Sequence, residues 1–297
     1  METHQLMGLT LVPVSLLGII CNWSVVFAVC KCNTLSHSFS LLTANQAVFN
    51  GIQCNLYFLY VAPMIILSVD INSLKQYSHV CGLILVICYD VSIQADFLIT
   101  INRFLAVFLP VQYTTMFSKK RTKHMIAVSF FLSLFIVIVF FHAQHCHLHY
   151  DNKLWRFIFS ESSVCLTYSY LGDFGKFILL CTLNGLLDTV TIWKVRSIRS
   201  QAKSQNLQRH LALEKKEMGF LKQTCGQAAC GFIGMLIYQF GPIFTDNNVM
   251  GFLFQTFLWC LLHACEGSGE EKNGKIYILG FSDCSRWSSI LKLDRHY

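Results

Sequence analysis

Three consecutive residues, Asn102-Arg103-Phe104, lie at the polar end of an apolar stretch that begins near Cys81. About 22 residues separate Cys81 from Arg103, so a helix rising roughly 1.5 Å per residue would place them at opposite faces of a hydrocarbon core about 30 Å thick. An arginine inside lipid is costly, whereas one at a helix end can reach the interface or a partner protein. Its guanidinium is permanently charged and offers five donors in a planar fork. We therefore predict that Arg103 binds a partner at one membrane rim.

Aspartates interrupt the other apolar stretches at Asp90, Asp96, Asp173 and Asp188. Ionisable side chains are expensive inside a membrane, so these carboxylates must face a cavity or a partner. We predict that Asp90 and Asp173 are the polar groups of a ligand pocket, because such pockets combine apolar walls with a few polar groups. Tyr89, Tyr170 and Trp259 complete the predicted pocket.

Paired carboxylates could also belong to an intramembrane aspartyl protease, in which two aspartates share a proton. Tyr89-Asp90 and Gly172-Asp173 would supply the pair. However, Tyr170 stands where the second protease motif needs its leading glycine. We therefore predict that the protein is not an enzyme.

Composition indicates the class of protein that must position these residues. Charged residues make up 13% of the 297-residue chain and hydrophobic residues 54%, against a usual charged share of about 25%. A soluble domain does not need this balance, so we predict an all-α membrane protein. Seven helices of about 20 to 25 residues would fill most of the length and leave short loops.

Seven apolar stretches match this expectation. They cover approximately residues 9–29, 39–67, 80–108, 124–143, 169–193, 220–243 and 249–265. Pro63 lies inside the second stretch and predicts a kink there, because proline removes a helical hydrogen bond. The seventh stretch is barely long enough to span, so we predict a short or truncated seventh helix.

Lysine and arginine predict the orientation of the bundle. If the amino terminus is extracellular, the cytoplasmic loops hold fourteen of these residues and the extracellular loops hold three. The positive-inside rule then places Arg103 in the cytoplasm. The same asymmetry accounts for the net charge of +7, so we predict membrane lipid and no nucleic acid as a partner.

Cysteines and histidines cluster near the predicted outer loop between helices four and five. We predict one disulfide from Cys81, with Cys165 as the favoured partner and Cys146 as the alternative, because this side is oxidising and spacing does not decide connectivity. The histidines of this region are His142, His145, His147 and His149. Imidazole and thiolate suit zinc or copper, but the alternating spacing lacks the signature of a closed site. We predict a solvated loop that can be protonated, and no metal.

The residues after Arg103 resemble the end of the third helix in rhodopsin-like seven-helix receptors, with Ala106-Val107, Pro110 and Tyr113 in sequence. Further motifs resemble nematode serpentine receptor class X in particular. These motifs are Tyr168 with Asp173-Phe174, Asp188 with Thr189 and Thr191, Phe220 with Lys222-Gln223-Thr224-Cys225, Pro242-Ile243-Phe244-Thr245 and His263-Ala264. Together with the first motif they cover residues 9–267.

The resemblance implies an orphan chemosensory G-protein-coupled receptor in the plasma membrane, including that of sensory-neuron cilia. It would sense a small molecule and activate a heterotrimeric G protein. The residues implied in coupling are Asn102, Arg103, Phe104, Pro110 and Tyr113. Most such receptors carry an acidic residue before the arginine, where this chain has Asn102. We predict Glu217, with Glu214 second, as the inactive-state partner of Arg103.

Departures from the receptor pattern leave alternatives open. Helices six and seven lack the Cys-Trp-x-Pro and Asn-Pro-x-x-Tyr runs, so a degenerate or non-signalling receptor is one alternative. A chemosensory cation channel is another, but insect-type channels have the opposite topology. An opsin needs a Schiff-base lysine in helix seven, and no lysine lies between Lys222 and Lys272, so we predict no cofactor. The domains expected are the receptor, 1–267, and an atypical cytoplasmic tail, 268–297.

Overall fold

The computed structural model describes residues 2–31, 38–68, 77–140, 144–204, 226, 229–245, 247–266, 271–272 and 275–276, with backbone alone at 199, 201–204, 242, 271–272 and 275–276. Within these residues, six helices are long and apolar enough to cross a membrane, and a seventh apolar helix is shorter. In chain order we label them α1 Thr3–Lys31, α2 Ser38–Leu67, α3 Ser78–Phe108, α4 Lys119–Ile138, α5 163–204, α6 Ala229–Phe240 and α7 Asn248–Glu266.

The predicted seven-helix architecture is confirmed, because each of these helices overlaps one of the apolar stretches. The observed helices differ from the predicted stretches mainly at their ends: α1, α4 and α5 all begin several residues earlier. Polar residues can continue a helix beyond the apolar core, so the apolar run marks the span and not the helix end. The seventh helix is short, as predicted, at 19 residues. The predicted start of helix six lies outside the described residues.

Three helices contain a π-helical turn that lies wholly within the described residues. These turns are Tyr57–Val61 in α2, Tyr168–Gly175 in α5 and Leu253–Phe257 in α7. In α2 the turn comes directly before Pro63, whose missing N–H cannot bond the carbonyl four residues earlier. The irregularity predicted at Pro63 therefore takes the form of a local π-helical turn, which is a common cause of helix bending.

The bundle is apolar on its outside and polar at several points inside, as a lipid solvent requires. Large side chains such as Phe27, Leu59 and Phe131 are more than half exposed on the surface. Buried polar side chains lie between the helices, including Asn22 and Asp90. Helix α3 is central, because it packs against α2, α4, α5 and the strand that follows α4.

A β-hairpin, which the sequence analysis did not predict, lies between α4 and α5. Strand β1, Leu148–Asp151, pairs antiparallel with β2, Arg156–Phe159. The turn is stabilised by Asp151 Oδ1, which accepts hydrogen bonds from the backbone N–H groups of Lys153 and Leu154 at 2.7 and 3.0 Å. Two further short strands, β3 Glu271–Lys272 and β4 Lys275–Ile276, pair in the predicted tail.

The hairpin lies directly on the amino-terminal end of α3. Ser78 Oγ accepts a hydrogen bond from the backbone N–H of Tyr150 at 2.6 Å. The backbone of β1 comes so close to Gly82 that a Cβ atom there would lie 2.0 Å from the carbonyl oxygen of Leu148. Burial raises the pKa of the Tyr150 hydroxyl above its ordinary value, so this side chain stays protonated. Because the backbone of β1 lies so close to position 82, glycine is required there for the hairpin to pack on α3.

We expect Gly82→Ala to destabilise the protein, because the added methyl group would overlap a backbone carbonyl that no rotamer change can move. Overpacking of this kind costs about 1–3 kcal/mol or more. The measurement is the midpoint of thermal unfolding of the detergent-purified protein. Gly185→Ala is the matched control, since a Cβ there meets no atom within 4 Å. Equal midpoints for the two variants would contradict the packing described.

The disulfide in the segment between α4 and α5 differs from the predicted one. Cys165 is bonded to Cys146, with the two Cα atoms 5.2 Å apart, and Cys81 is a free, half-buried thiol. The predicted pairing of Cys81 is therefore wrong. The physical reason is the hairpin, which turns the chain back on itself and brings the residues on either side of its strands together.

This connectivity gives a direct test. We expect Cys146→Ser to lower thermal stability and surface delivery, because the bond closes a loop with a sequence separation of 19 and such a crosslink contributes about 3 kcal/mol. Cys81→Ser should leave both quantities unchanged. Surface labelling and titration of free thiols in the two variants measure the effect. A loss of surface protein in Cys81→Ser equal to that in Cys146→Ser would refute the assignment.

Candidate ligand pocket and arginine site

A cavity of about 60 Å³ lies between the hairpin and helices α2, α3, α5, α6 and α7. Its walls are mostly apolar, with Leu85, Phe157 and Met235 among the side chains that line it. Polar groups enter from β2, α5 and α7, including those of Arg156 and Asp173. A concave, apolar site with a few converging polar groups is the usual form of a small-molecule site. The cavity volume of about 60 Å³ is well below the roughly 300–1,000 Å³ of most such sites, so only a small ligand is a candidate.

Three of the five predicted pocket residues line this cavity, namely Tyr89, Asp173 and Trp259. Asp90 lies beside Tyr89 on α3 and is fully buried, but it faces a partner on α5. Tyr170 is 47% exposed on the surface of the π-helical turn in α5 and is not part of the lining. Its predicted place in the pocket is therefore wrong, because sequence spacing could not show how this turn rotates its side chains.

Asp90 and Lys176 form an ion pair that joins α3 to α5. The carboxylate side chain is fully buried, whereas the lysine side chain is 22% exposed. The ammonium group also lies 5.8 Å from the centre of the Tyr89 ring, a distance that allows a cation–π interaction. The intramembrane aspartate thus has the partner that its burial required.

An aromatic cluster around Trp259 forms one wall of the cavity. The ring centre of Trp259 lies 4.9 Å from that of Tyr89, 5.1 Å from that of Tyr238 and 5.2 Å from that of His263. These contacts connect α3, α6 and α7 around one side chain. A ligand that moved Trp259 would therefore change the packing of three helices.

A polar network lies beyond this cluster, centred on Asn50 of α2. Asn50 Oδ1 accepts a hydrogen bond from Ser92 Oγ at 2.8 Å and lies 3.1 Å from His263 Nδ1. Asn50 Nδ2 donates to Glu266 at 2.5 Å, and Asn22 Nδ2 donates to the backbone carbonyl of His263 at 3.1 Å. The sequence analysis missed Asn50, although an amide inside an apolar span was the available signal.

Arg103 forms an ion pair across the bundle with Asp188 of α5. The atoms Arg103 Nη1 and Asp188 Oδ1 are 3.7 Å apart, and the two side chains are 13% and 3% exposed. The sequence analysis predicted that Asp188 faces a cavity or a partner, but it did not predict Arg103 as that partner and named Glu217 and Glu214 instead. Both glutamates lie outside the described residues. The acidic group that faces Arg103 in the structure is therefore one inside a predicted span.

The other predicted coupling residues lie in the last turns of α3 and in the short helix that follows it. Asn102 is buried, and Phe104 stacks on Phe108 with ring centres 4.6 Å apart. Pro110 begins a short helix, Pro110–Met116, and Tyr113 in it stacks on Phe117 at 5.8 Å. The α3 end and the short helix thus form one continuous surface.

Four histidine side chains lie close together at the amino-terminal end of α3. The ring of His79 lies 5.1 Å from that of His147 and 5.8 Å from that of His149 between ring centres, and His145 lies 6.4 Å from His147. His142 lies outside the described residues. Among the residues that the structure describes, no three His, Cys, Asp or Glu side chains are arranged to hold a metal ion.

This architecture defines a seven-transmembrane receptor of the rhodopsin fold. The crystal structure of squid rhodopsin superposes with a TM-score of 0.69 and 18% sequence identity, covering 89% of this chain and 79% of that chain. Residues 12–268 match the family described as serpentine type 7TM GPCR chemoreceptor Srx, and the chain belongs to this family. The resemblance found in the sequence is therefore confirmed, and such receptors are not enzymes.

Two Caenorhabditis elegans proteins show the same relationship over most of their length. Serpentine receptor class X 45 is 23% identical over 278 residues, which cover 85% of this chain and 74% of the relative. Serpentine receptor class X-43 is 24% identical over 248 residues, covering 82% and 75% respectively. The chain is thus a multi-pass membrane protein with a receptor role.

Proposed function

We propose that this receptor binds a small molecule in the cavity and activates a heterotrimeric G protein through the surface around Arg103. The observation that supports the proposal is that one helix, α3, carries both Tyr89 at the cavity and Arg103 at the ion pair with Asp188. Arg103 lies fourteen positions after Tyr89, which corresponds to about 21 Å of helix. A ligand that binds one packing arrangement of α3 more tightly would shift the population of receptors toward that arrangement. The size of the shift is set by the difference in affinity, and it would change the packing at the Arg103 end of the helix.

We also propose that the amino terminus is extracellular and that the receptor acts at the plasma membrane, including that of sensory cilia. The charges of the described residues support this orientation, since Lys31, Lys120 and Arg121 lie at the Arg103 end. Lys153 and Arg156 belong to the hairpin at the other end. The positive-inside rule favours a cytoplasmic position for the first group.

The experiment that tests this function is a small-molecule screen on cells that express the full chain, with calcium and cyclic-nucleotide readouts. An active compound should act on intact cells, and its effect should disappear in Trp259→Ala, which removes the centre of the aromatic cluster. A ligand-gated current that persists when G proteins are inhibited would instead identify a cation channel. Normal surface delivery without any response across the screen would favour a non-signalling receptor.

A further inference from the structure

Two charged side chains at the cavity have buried polar atoms without a partner. Asp173 Oδ1 and Arg156 Nε are both buried, and neither has a hydrogen bond among the residues that the structure describes. Both side chains line the cavity. A buried polar group left unpaired is unfavourable, more so when it is charged. The pocket therefore presents one unsatisfied acceptor of negative charge and one unsatisfied donor of positive charge.

The guanidinium is held through one of its other nitrogens, Nη1. Arg156 Nη1 donates to Gln255 Oε1 at 2.5 Å, and Gln255 Nε2 donates to the backbone carbonyl of Tyr238 at 3.0 Å. The adjacent Thr256 Oγ1 bonds the carbonyl of Trp155 at 2.7 Å, which holds the hairpin on α7. Arg156 is thus oriented by α7 before a ligand arrives, and preorganisation of this kind lowers the entropy cost of binding.

The balance of charge around the cavity limits what can bind. Asp90 is neutralised by Lys176, so this aspartate does not need a ligand. Asp173 and Arg156 then remain as the acidic and the basic side chain that line the cavity. A ligand with one charge would satisfy one of these groups and leave the other unpaired in a dry site. A ligand with both charges satisfies the two together.

We infer that the ligand is a small zwitterion with an apolar side group, of the class of free aliphatic amino acids. Its ammonium group would bond Asp173 and its carboxylate would bond Arg156, which suits planar carboxylates. Leu85, Phe157 and Met235 would surround the apolar group. The cavity volume of about 60 Å³ favours the smallest members of this class, and the larger members need the cavity to widen when they bind. This inference rests on the proposed function, because it assumes that the cavity is the ligand site.

The test uses the full-length receptor purified in nanodiscs and needs no signalling. L-Alanine, L-valine and L-leucine are titrated by calorimetry beside two halves of leucine, 3-methylbutylamine without the carboxylate and 4-methylpentanoate without the ammonium. We expect at least one amino acid to bind, and leucine or its smaller relatives to exceed both halves by more than about tenfold in affinity. Binding of either half as tight as that of the amino acids, or no binding by any amino acid, overturns the inference.

Two variants assign the charges. Asp173→Asn should remove the advantage of the zwitterion over the carboxylate half, and Arg156→Gln should remove its advantage over the amine half. Tyr170→Phe, outside the cavity lining, is the matched control and should bind like the parent. Unfolding temperatures measured without ligand identify any variant that fails to fold. If a variant does not fold, the relative affinities of the probes for the parent protein alone test the inference.

These outcomes separate the inference from the proposed function. If the amino acids do not bind but another compound signals through the cavity, the ligand class is wrong and the function stands. If the amino acids bind with the expected ranking but no G protein responds, the ligand class stands and the signalling proposal is wrong.

Discussion

Arg103→Ala is expected to abolish ligand-dependent G-protein activation while leaving most of the receptor at the cell surface. Arginine offers five donors in a planar fork and can bond several carbonyl groups of an incoming helix, which alanine cannot replace. Asn102 beside it carries no charge and cannot act in its place. The measurement is G-protein activation at saturating ligand, normalised to surface receptor. A response equal to that of the parent would show that this surface is not the G-protein switch.

Asp188 provides the control for that experiment, because its carboxylate would stay buried once the arginine is removed. The double variant Arg103→Ala, Asp188→Asn removes this unpaired charge and should be equally silent. Asp188→Asn alone should do the opposite and raise basal signalling several-fold, since an inactive-state contact of this kind is worth about 1–3 kcal/mol. Basal signalling unchanged in Asp188→Asn would mean that the ion pair does not restrain Arg103.

Lys176→Met is expected to remove most folded receptor from the cell surface. The substitution leaves the fully buried carboxylate of Asp90 without its cation. Breaking a buried ion pair from one side costs about 3–5 kcal/mol, because an uncompensated charge remains inside. Surface labelling and the unfolding temperature of the purified protein are the two measurements.

A matched pair of variants shows whether the effect comes from the charge. Asp90→Asn combined with Lys176→Met has no buried charge at this position and should recover most of the lost stability. Lys123→Met, at an exposed position of α4, should behave like the parent. If the double variant is as unstable as Lys176→Met alone, the lysine acts through packing and not through its charge.

The membrane spans could be predicted from the sequence because lipid imposes a simple requirement on them. A segment that crosses the hydrocarbon core needs about 20 apolar residues, so a run such as 124–143 reveals its helix without knowledge of any neighbour. The arginine at the end of α3 was visible for the same reason, as a charge at the limit of an apolar run. Helix ends were less certain, since polar residues such as Lys119 can extend a helix past the core.

Partners across the bundle could not be predicted, because they depend on the rotation of each helix. Asp188 faces Arg103 and Lys176 faces Asp90, but the spacing of these residues along the chain gives no sign of either pairing. The hairpin was missed because a four-residue strand inside a polar loop gives a weak periodic signal. The wrong disulfide followed from the missed hairpin, since connectivity cannot be deduced from cysteine spacing alone.

The bond between Cys146 and Cys165 determines which parts of the receptor move together. Arg156 lies within the loop that this bond closes, and Asp173 lies in the first turns of α5 that follow it. Asp173 itself lies outside the closed loop, eight residues after Cys165. The bond therefore joins Arg156 to the start of α5 by a second covalent path, through Cys146, besides the chain that continues from β2. A second path of this kind limits how far the two charges can move apart, with or without a ligand.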